Sequence, residues 1–173
     1  ERSAGADAVG HGGGRPHRTQ QQIVRREGRR STQGQIGHAL AHIALHGGAW
    51  WAAIGTPKSA GTKIHSVSGD CARPGLYEYP FGVSIRPALE DCGAKDTQAV
   101  QVSGPSGICV AEAEFDRIIG FEDIPTAGAF TVFNNTRDMF QVARNYVHFF
   151  QHESCGFCTP CRVGTSLLKN LMD

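Results

Sequence analysis

Three cysteines lie within seven residues near the end of the sequence, and their spacing constrains this chain more than any other feature. Cys155, Cys158 and Cys161 form a C-x2-C-x2-C run. Closely spaced thiolates on a looping backbone suit the corners of an iron–sulfur cluster. Structural zinc sites usually combine two C-x2-C pairs, and the sequence contains no second pair. The run therefore predicts a 4Fe-4S cluster, with a zinc site or purely structural cysteines as the alternatives.

The fourth ligand of such a cluster is not evident. A 4Fe-4S cluster normally takes four thiolates, and neither cysteine nor histidine follows Cys161. Either the ligand belongs to a longer chain of which this one is a truncated fragment, or Cys71, Cys92 or Cys109 folds back to supply it. We favour truncation, and we expect those three cysteines to be buried small side chains.

Composition narrows the class of protein. Hydrophobic residues make up 40% and charged residues 19% of the chain, as in ordinary globular domains. No apolar stretch is long enough to insert into a membrane, and no secretory signal is visible. Six cysteines without such a signal favour a reducing, cytoplasmic location over a disulfide framework.

Charge is distributed unevenly along the chain. Residues 1–30 hold seven arginines and three acidic residues, which leaves 10 of the 17 basic and 13 of the 16 acidic residues for the remainder. The remainder is mildly acidic, so we expect no nucleic-acid partner. Residues 1–45 are predicted to be a disordered or aberrant segment, since most of it is rich in Gly, Arg and Gln. Within it, residues 36–46 can form a short helix.

The next part of the chain predicts an α+β fold. Residues 49–111 are expected to form a β-grasp (ubiquitin-like) module, because strand, strand, helix and strand patterns follow one another within about fifty residues. The predicted strands are 62–68, 76–80 and 98–102, and the predicted helix runs from a cap at Ser84 to Asp91, with Gly93 as its stop.

In the last part of the chain, the spacing of apolar residues changes from that of a strand to that of a helix. Residues 112–134 are expected to be a connector with a strand at 128–134, and residues 135–173 the start of a helical iron–sulfur-binding bundle. Asn135 or Thr136 is the expected cap of its first helix. A second helix is expected to begin after Arg162 and to aim its free N–H groups at the cluster. Arg162 would add positive charge there.

Several segments resemble one protein family. The segment ESCGFCTPCRVGT at 153–165 resembles the cluster motif of the flavin-carrying, NADH-binding subunit of respiratory complex I. The similarity is closer to the alpha (diaphorase) subunit of bacterial NAD-reducing hydrogenases, and it extends to residues 61–78, 102–107 and 121–134. A related subunit of complex I or of formate dehydrogenase is the alternative family member. A non-catalytic docking module with a zinc or empty cysteine site is the alternative from another class.

The resemblance implies a flavin domain, then a β-grasp domain, then a helical bundle with a 4Fe-4S cluster. Cys155, Cys158 and Cys161 match the first three cluster ligands, and the fourth lies further downstream in the family. FMN and NAD are expected only in the intact subunit, and no residue of this chain is assigned to them or to catalysis. The implied function is electron transfer within an NAD(H)-dependent oxidoreductase, with other hydrogenase or NADH dehydrogenase subunits as partners. The chain alone is expected to be inactive.

Overall fold

The protein combines a five-stranded sheet with a helical hairpin. The structure, a computed structural model, describes residues 32–173, apart from the side chains at 32–36 and 38. Residues 1–31 of the segment that was expected to be disordered are outside the described part of the chain. The helix expected at 36–46 lies within the first observed helix. The elements, in chain order, are α1 (Thr32–His46), α2 (Gly48–Ala52), β1 (Thr62–Gly69), β2 (Gly75–Pro80), α3 (Arg86–Cys92), β3 (Thr97–Val102), β4 (Ile108–Ala111), β5 (Ala129–Asn134), α4 (Met139–His152) and α5 (Thr159–Met172).

The sheet has the strand order β2-β1-β5-β3-β4. The β1–β5 pair is parallel, and the other neighbours are antiparallel. The helix α3 connects β2 to β3 and buries Ala88 and Cys92. This mixed sheet with a helix packed on one face confirms the predicted α+β fold of β-grasp type.

The strands β1, β2 and β5 alternate between more and less buried side chains, whereas the last four residues of β3 are all buried. In β1, His65 and Val67 are buried while Ser66 and Ser68 are exposed, because successive side chains of a strand point to opposite faces. The four predicted strands each lie within one residue of an observed strand. Where only one face of a strand is buried, the alternation of apolar and polar residues predicts the strand from the local sequence alone.

The sheet extends beyond the predicted β-grasp module at 49–111. Strand β5 comes from the segment expected to be a connector at 112–134, and it lies in the middle of the sheet. It buries Phe130 and Val132 in the core. Without it, β1 and β3 would face each other with unpaired backbone N–H and C=O groups, which a buried sheet does not tolerate. Strand order depends on contacts between distant segments, and local periodicity does not report it.

The expectation that three isolated cysteines are buried is right for one of them. Cys92 is fully buried in the core, and Cys71 is half-buried against it. The expectation is wrong for Cys109, which is exposed. Cys109 lies on β4, the edge strand, next to the buried Val110, so its side chain points away from the core.

The ends of α3 correct one detail of the sequence analysis. Gly93 ends this helix in the left-handed conformation, with φ 66°, as expected for a glycine stop. The predicted cap at Ser84 is wrong, because the position before the helix is Ile85 and no side chain caps the N-terminus. Across residues 32–173, no helix combines the length and the apolar character needed to cross a membrane.

His65 is a buried polar residue in an apolar site. It is 1% exposed, and its ring lies 4.7 Å from the Phe130 ring and 5.9 Å from the Tyr79 ring, measured between centroids. Its Nδ1 atom has no hydrogen-bond partner. Burial, with a smaller effect of Lys63, lowers the pKa of His65 from 6.5 to about 4. The folded protein therefore holds this imidazole neutral at physiological pH.

We expect this histidine to make the fold sensitive to mild acid. Below pH 6.5 the unfolded chain binds a proton at His65 that the folded chain does not accept until the pH nears 4, so stability falls as the pH falls. Between pH 7 and pH 5 this group should lower the free energy of unfolding by about 2 kcal/mol. The variant His65→Phe should lose that part of the pH dependence in urea unfolding measured at both pH values.

The matched control for this measurement is His46→Gln, since His46 is exposed at the end of α1. It should leave the difference in stability between pH 7 and pH 5 unchanged. An identical acid-side loss in His65→Phe and in the unsubstituted chain would show that another group is responsible.

Candidate metal centre

The helix that leads to the cysteine run begins at an aspartate cap. Asp138 has extended backbone dihedrals, and its Oδ1 accepts hydrogen bonds from the backbone N–H groups of Phe140, at 2.8 Å, and Gln141, at 3.4 Å. The predicted caps Asn135 and Thr136 are wrong, because both lie in the preceding turn. In that turn the Asn134 side chain accepts hydrogen bonds from the N–H and hydroxyl of Thr136. An Asp directly before an apolar helical pattern is the signal that would have located this cap.

An ion pair joins this turn to the sheet. Arg137 donates from Nη2 to Asp70 Oδ1 at 2.6 Å and from Nε to Asp70 Oδ2 at 2.8 Å. The same carboxylate accepts a hydrogen bond from the backbone N–H of Asn134, at 3.2 Å. The hydrogen bonds from Arg137 lower the pKa of Asp70. Asp70 follows β1 and Asn134 ends β5, so the pair sets where α4 leaves the sheet.

The cysteine run lies between α4 and α5. Cys155 is in the loop after α4, Cys158 is the N-cap of α5, and Cys161 lies in the first turn of that helix. All three are exposed. The prediction that the helix begins after Arg162 is wrong, because α5 begins at Thr159. Pro160 fits its first turn, since that position needs no N–H donor.

The backbone of the loop turns at Gly156. This residue has φ 74°, and a Cβ added there would meet no atom within 4 Å. Its N–H donates to Ser154 Oγ at 3.3 Å, and its carbonyl accepts from Arg162 Nη1 at 3.1 Å. Arg162 therefore reaches back from α5 and holds the segment between Cys155 and Cys158. The sequence predicted that Arg162 adds positive charge near the cysteines, but it did not predict the hydrogen bond from Arg162 to the Gly156 carbonyl.

The donor set of the run suits an iron–sulfur cluster. It offers three soft thiols within a short loop and first helical turn, with no carboxylate or imidazole between them. Cys158 makes no side-chain capping hydrogen bond, so the first N–H groups of α5 stay available to a negative group. These features agree with a multi-atom anionic cofactor held by thiolates.

The cysteines do not form a preassembled site for a single ion. Within residues 32–173, no three Cys, His, Asp or Glu side chains surround a point where one metal ion could be held. Zinc needs its sulfurs about 2.3 Å from one centre, whereas a cluster distributes its ligands over the corners of a larger body. Three closely spaced thiols are soft donors of the kind that iron–sulfur clusters take.

The other cysteines lie in the sheet module. Burial raises the pKa of the Cys92 thiol to about 11, with a smaller contribution from the neighbouring Cys71, and burial also raises the pKa of Cys109. A thiol held neutral in a core is a poor ligand, since metals bind the thiolate. The described part of the chain thus gives no support to a fourth ligand from Cys92.

The two helices of the hairpin are tied together at their far end. Asp173 accepts hydrogen bonds from Lys169 Nζ at 2.7 Å, Arg144 Nε at 2.8 Å and His148 Nε2 at 2.8 Å. These contacts, with Lys169 the largest, lower the pKa of Asp173. Lys169 pairs with Asp173 at the end of α5 itself, whereas the contacts from Arg144 and His148 join α4 to the end of α5. All three pairs are partly exposed, so each adds little stability.

Comparison with known proteins defines the class of this region. Residues 141–173 match the family described as "NADH-ubiquinone oxidoreductase-F iron-sulfur binding region". The match contains most of α4, all of α5 and the three cysteines. This part of the chain is therefore similar to the iron–sulfur binding region of that family.

Comparison with individual proteins gives the degree of similarity. It is 48% identical over 127 residues to the alpha subunit of the NAD-reducing hydrogenase HoxS of Cupriavidus necator, a match that covers 73% of this chain and 21% of the relative. It is 38% identical over 133 residues to the F subunit of the NADH-quinone oxidoreductase of Escherichia coli K12, covering 70% of this chain and 30% of the relative. The crystal structure of an NAD+-reducing NiFe-hydrogenase in the H2-reduced state matches with a TM-score of 0.73 and 45% identity, over 78% of this chain and 24% of that one.

The chain is thus a homologue of hydrogenase alpha subunits and of the F subunits of NADH-quinone oxidoreductases. This confirms the resemblance found in the sequence. The chain spans about a fifth of the hydrogenase subunit's length and just under a third of the Escherichia coli subunit's.

Two glycines near the site allow a matched stability test. Gly156→Ala should lower the free energy of unfolding by about 1–2 kcal/mol, because a left-handed backbone is costly for alanine and no clash contributes. Gly164→Ala, in the interior of α5, should raise it by about 0.5–1 kcal/mol, because alanine is the better helix former. Urea unfolding of the metal-free chain measures both, and effects of the same sign would contradict the assigned backbone conformations.

Proposed function

We propose that Cys155, Cys158 and Cys161 are three ligands of a 4Fe-4S cluster. The observation that supports this most directly is their placement: three exposed thiols occupy the loop, the N-cap and the first turn at one end of a helical hairpin. The match of residues 141–173 to an iron–sulfur binding region supports the same assignment. When bound, such a cluster supplies a centre that takes up and releases one electron at a time.

The residues around the cysteines would favour the reduced, more negative state of the site. The N-terminal N–H groups of α5 point their partial positive charge toward the run. Arg162 lies in the first turn and binds Gly156 O, which keeps its guanidinium beside the loop. The N–H groups and the Arg162 guanidinium both attract the negative charge on the thiolates. Reduction increases that charge, so both groups stabilise the reduced state more than the oxidised state.

We infer that this chain contributes electron transfer to an NAD(H)-linked oxidoreductase of the NAD-reducing hydrogenase type. The 48% identity to the HoxS alpha subunit, against 38% to the Escherichia coli F subunit, supports the hydrogenase diaphorase over complex I. In this proposal FMN and NAD bind the intact subunit, and hydrogenase or NADH dehydrogenase subunits are the partners. All six cysteines are free thiols, which supports a reducing, cytoplasmic location.

Metal content of a Cys158→Ser variant tests the ligand assignment. Protein purified without oxygen and reconstituted with iron and sulfide should be brown, with nearly equal iron and sulfide, and Cys158→Ser should lose most of both. Serine is a favoured N-cap residue, so α5 should persist in the variant, and circular dichroism checks this.

Cys109→Ser is the matched control, since it removes an exposed cysteine on β4, outside the run. It should keep the iron, the sulfide and the visible absorption of the unsubstituted chain; loss of metal in this variant would instead identify Cys109 as the fourth ligand. Zinc in place of iron, or equal metal in Cys158→Ser and the unsubstituted chain, would overturn the proposal and leave a docking module as the better interpretation.

A further inference from the structure

One hydroxyl group lies within hydrogen-bond distance of a sulfur in the run. Ser154 Oγ is 3.5 Å from Cys161 Sγ. Ser154 is half-buried between the end of α4 and the loop, and its Oγ also accepts a hydrogen bond from the N–H of Gly156. The side chain therefore joins the loop that carries Cys155 to the helical turn that carries Cys161.

The direction of the Ser154–Cys161 hydrogen bond follows from the chemistry of a ligand. A cysteine that binds a metal or cluster is a thiolate and has no proton to donate. A serine hydroxyl has one proton and two lone pairs, so Ser154 can accept from Gly156 and donate to Cys161 at the same time. With the sulfur as ligand, the proton between the two atoms must come from Ser154.

Two other hydroxyls of α5, those of Thr165 and Ser166, bond to backbone carbonyls. Thr165 Oγ1 donates to the carbonyl of Cys161 at 2.7 Å, and Ser166 Oγ donates to the carbonyl of Arg162 at 2.9 Å. Both are bonds of a helical side chain to the backbone one turn earlier. These two bonds stabilise the helix locally, and neither of them involves the sulfur of Cys161.

We propose that Ser154 is a positioning residue that donates a hydrogen bond to Sγ of Cys161 and raises the reduction potential of the site. This inference rests on the proposed function. Hydrogen bonds to the sulfurs are among the factors that set cluster potentials. Reduction adds negative charge that spreads onto the ligand sulfurs, so the donor stabilises the reduced state more than the oxidised state. Loss of the hydroxyl then makes the site harder to reduce.

A redox titration of reconstituted protein, followed by electron paramagnetic resonance, tests this role. Ser154→Ala should shift the midpoint potential to a more negative value, whereas Ser154→Thr, which keeps the hydroxyl, should restore it. Ser154→Val has nearly the shape of the threonine variant, so a difference between those two isolates the hydroxyl from side-chain volume. The midpoint potential does not depend on occupancy, so it can be read from whatever fraction of a variant retains the cluster.

Ser166→Ala is the control, since it removes a hydroxyl of the same hairpin that contacts only a carbonyl. It should leave the potential unchanged. Equal potentials in Ser154→Ala and the unsubstituted chain, or in the threonine and valine variants, would overturn the role of Ser154 while leaving the ligand assignment intact. An unsubstituted chain that holds no cluster would overturn the proposed function, and the role of Ser154 with it.

Discussion

Backbone hydrogen bonds between β1 and β5 hold together two stretches of chain about sixty residues apart, and the rest of the molecule depends on them. Val67 lies beside Phe130 in this parallel pair, and both side chains are in the core. Because β5 also pairs with β3, it connects the two halves of the sheet. The Asp70–Arg137 ion pair lies just beyond the end of both strands, so the strand pairing also determines where the helical hairpin starts.

The local elements of this fold were legible in the sequence, whereas its connectivity was not. Strand patterns and turn residues located four of the five described strands to within a residue, and Gly93 marked the end of α3. The short elements β4 and α2 were not predicted. The division into a module at 49–111 and a connector did not anticipate β5 as a central strand. Its position results from pairing with residues far along the chain, which no local window contains. For the same reason Cys109 was expected in the core, since its exposure depends on β4 being an edge strand.

In the candidate site, too, some features could be predicted from the local sequence and others could not. The spacing of Cys155, Cys158 and Cys161 predicted the chemistry, because ligands of one cofactor that are close in sequence need little tertiary information. The supporting residues were harder to find. Asn134, Thr136 and Asp138 all lie near the start of α4, and the hydrogen bond from Thr136 to Asn134 determines which one remains free to cap the helix. The contacts of Ser154 and Arg162 depend on the turn at Gly156 and cannot be read from residue type alone.

The α4–α5 hairpin has a consequence for the order of folding. Only a short loop separates its helices, so closing it costs little chain entropy, and contacts of this kind form quickly. The parallel β1–β5 pair must first bring distant segments together and is the slower step. The cysteine-bearing hairpin can therefore become ordered while the sheet is still open. The three thiols can then lie close together before the sheet beside them has closed.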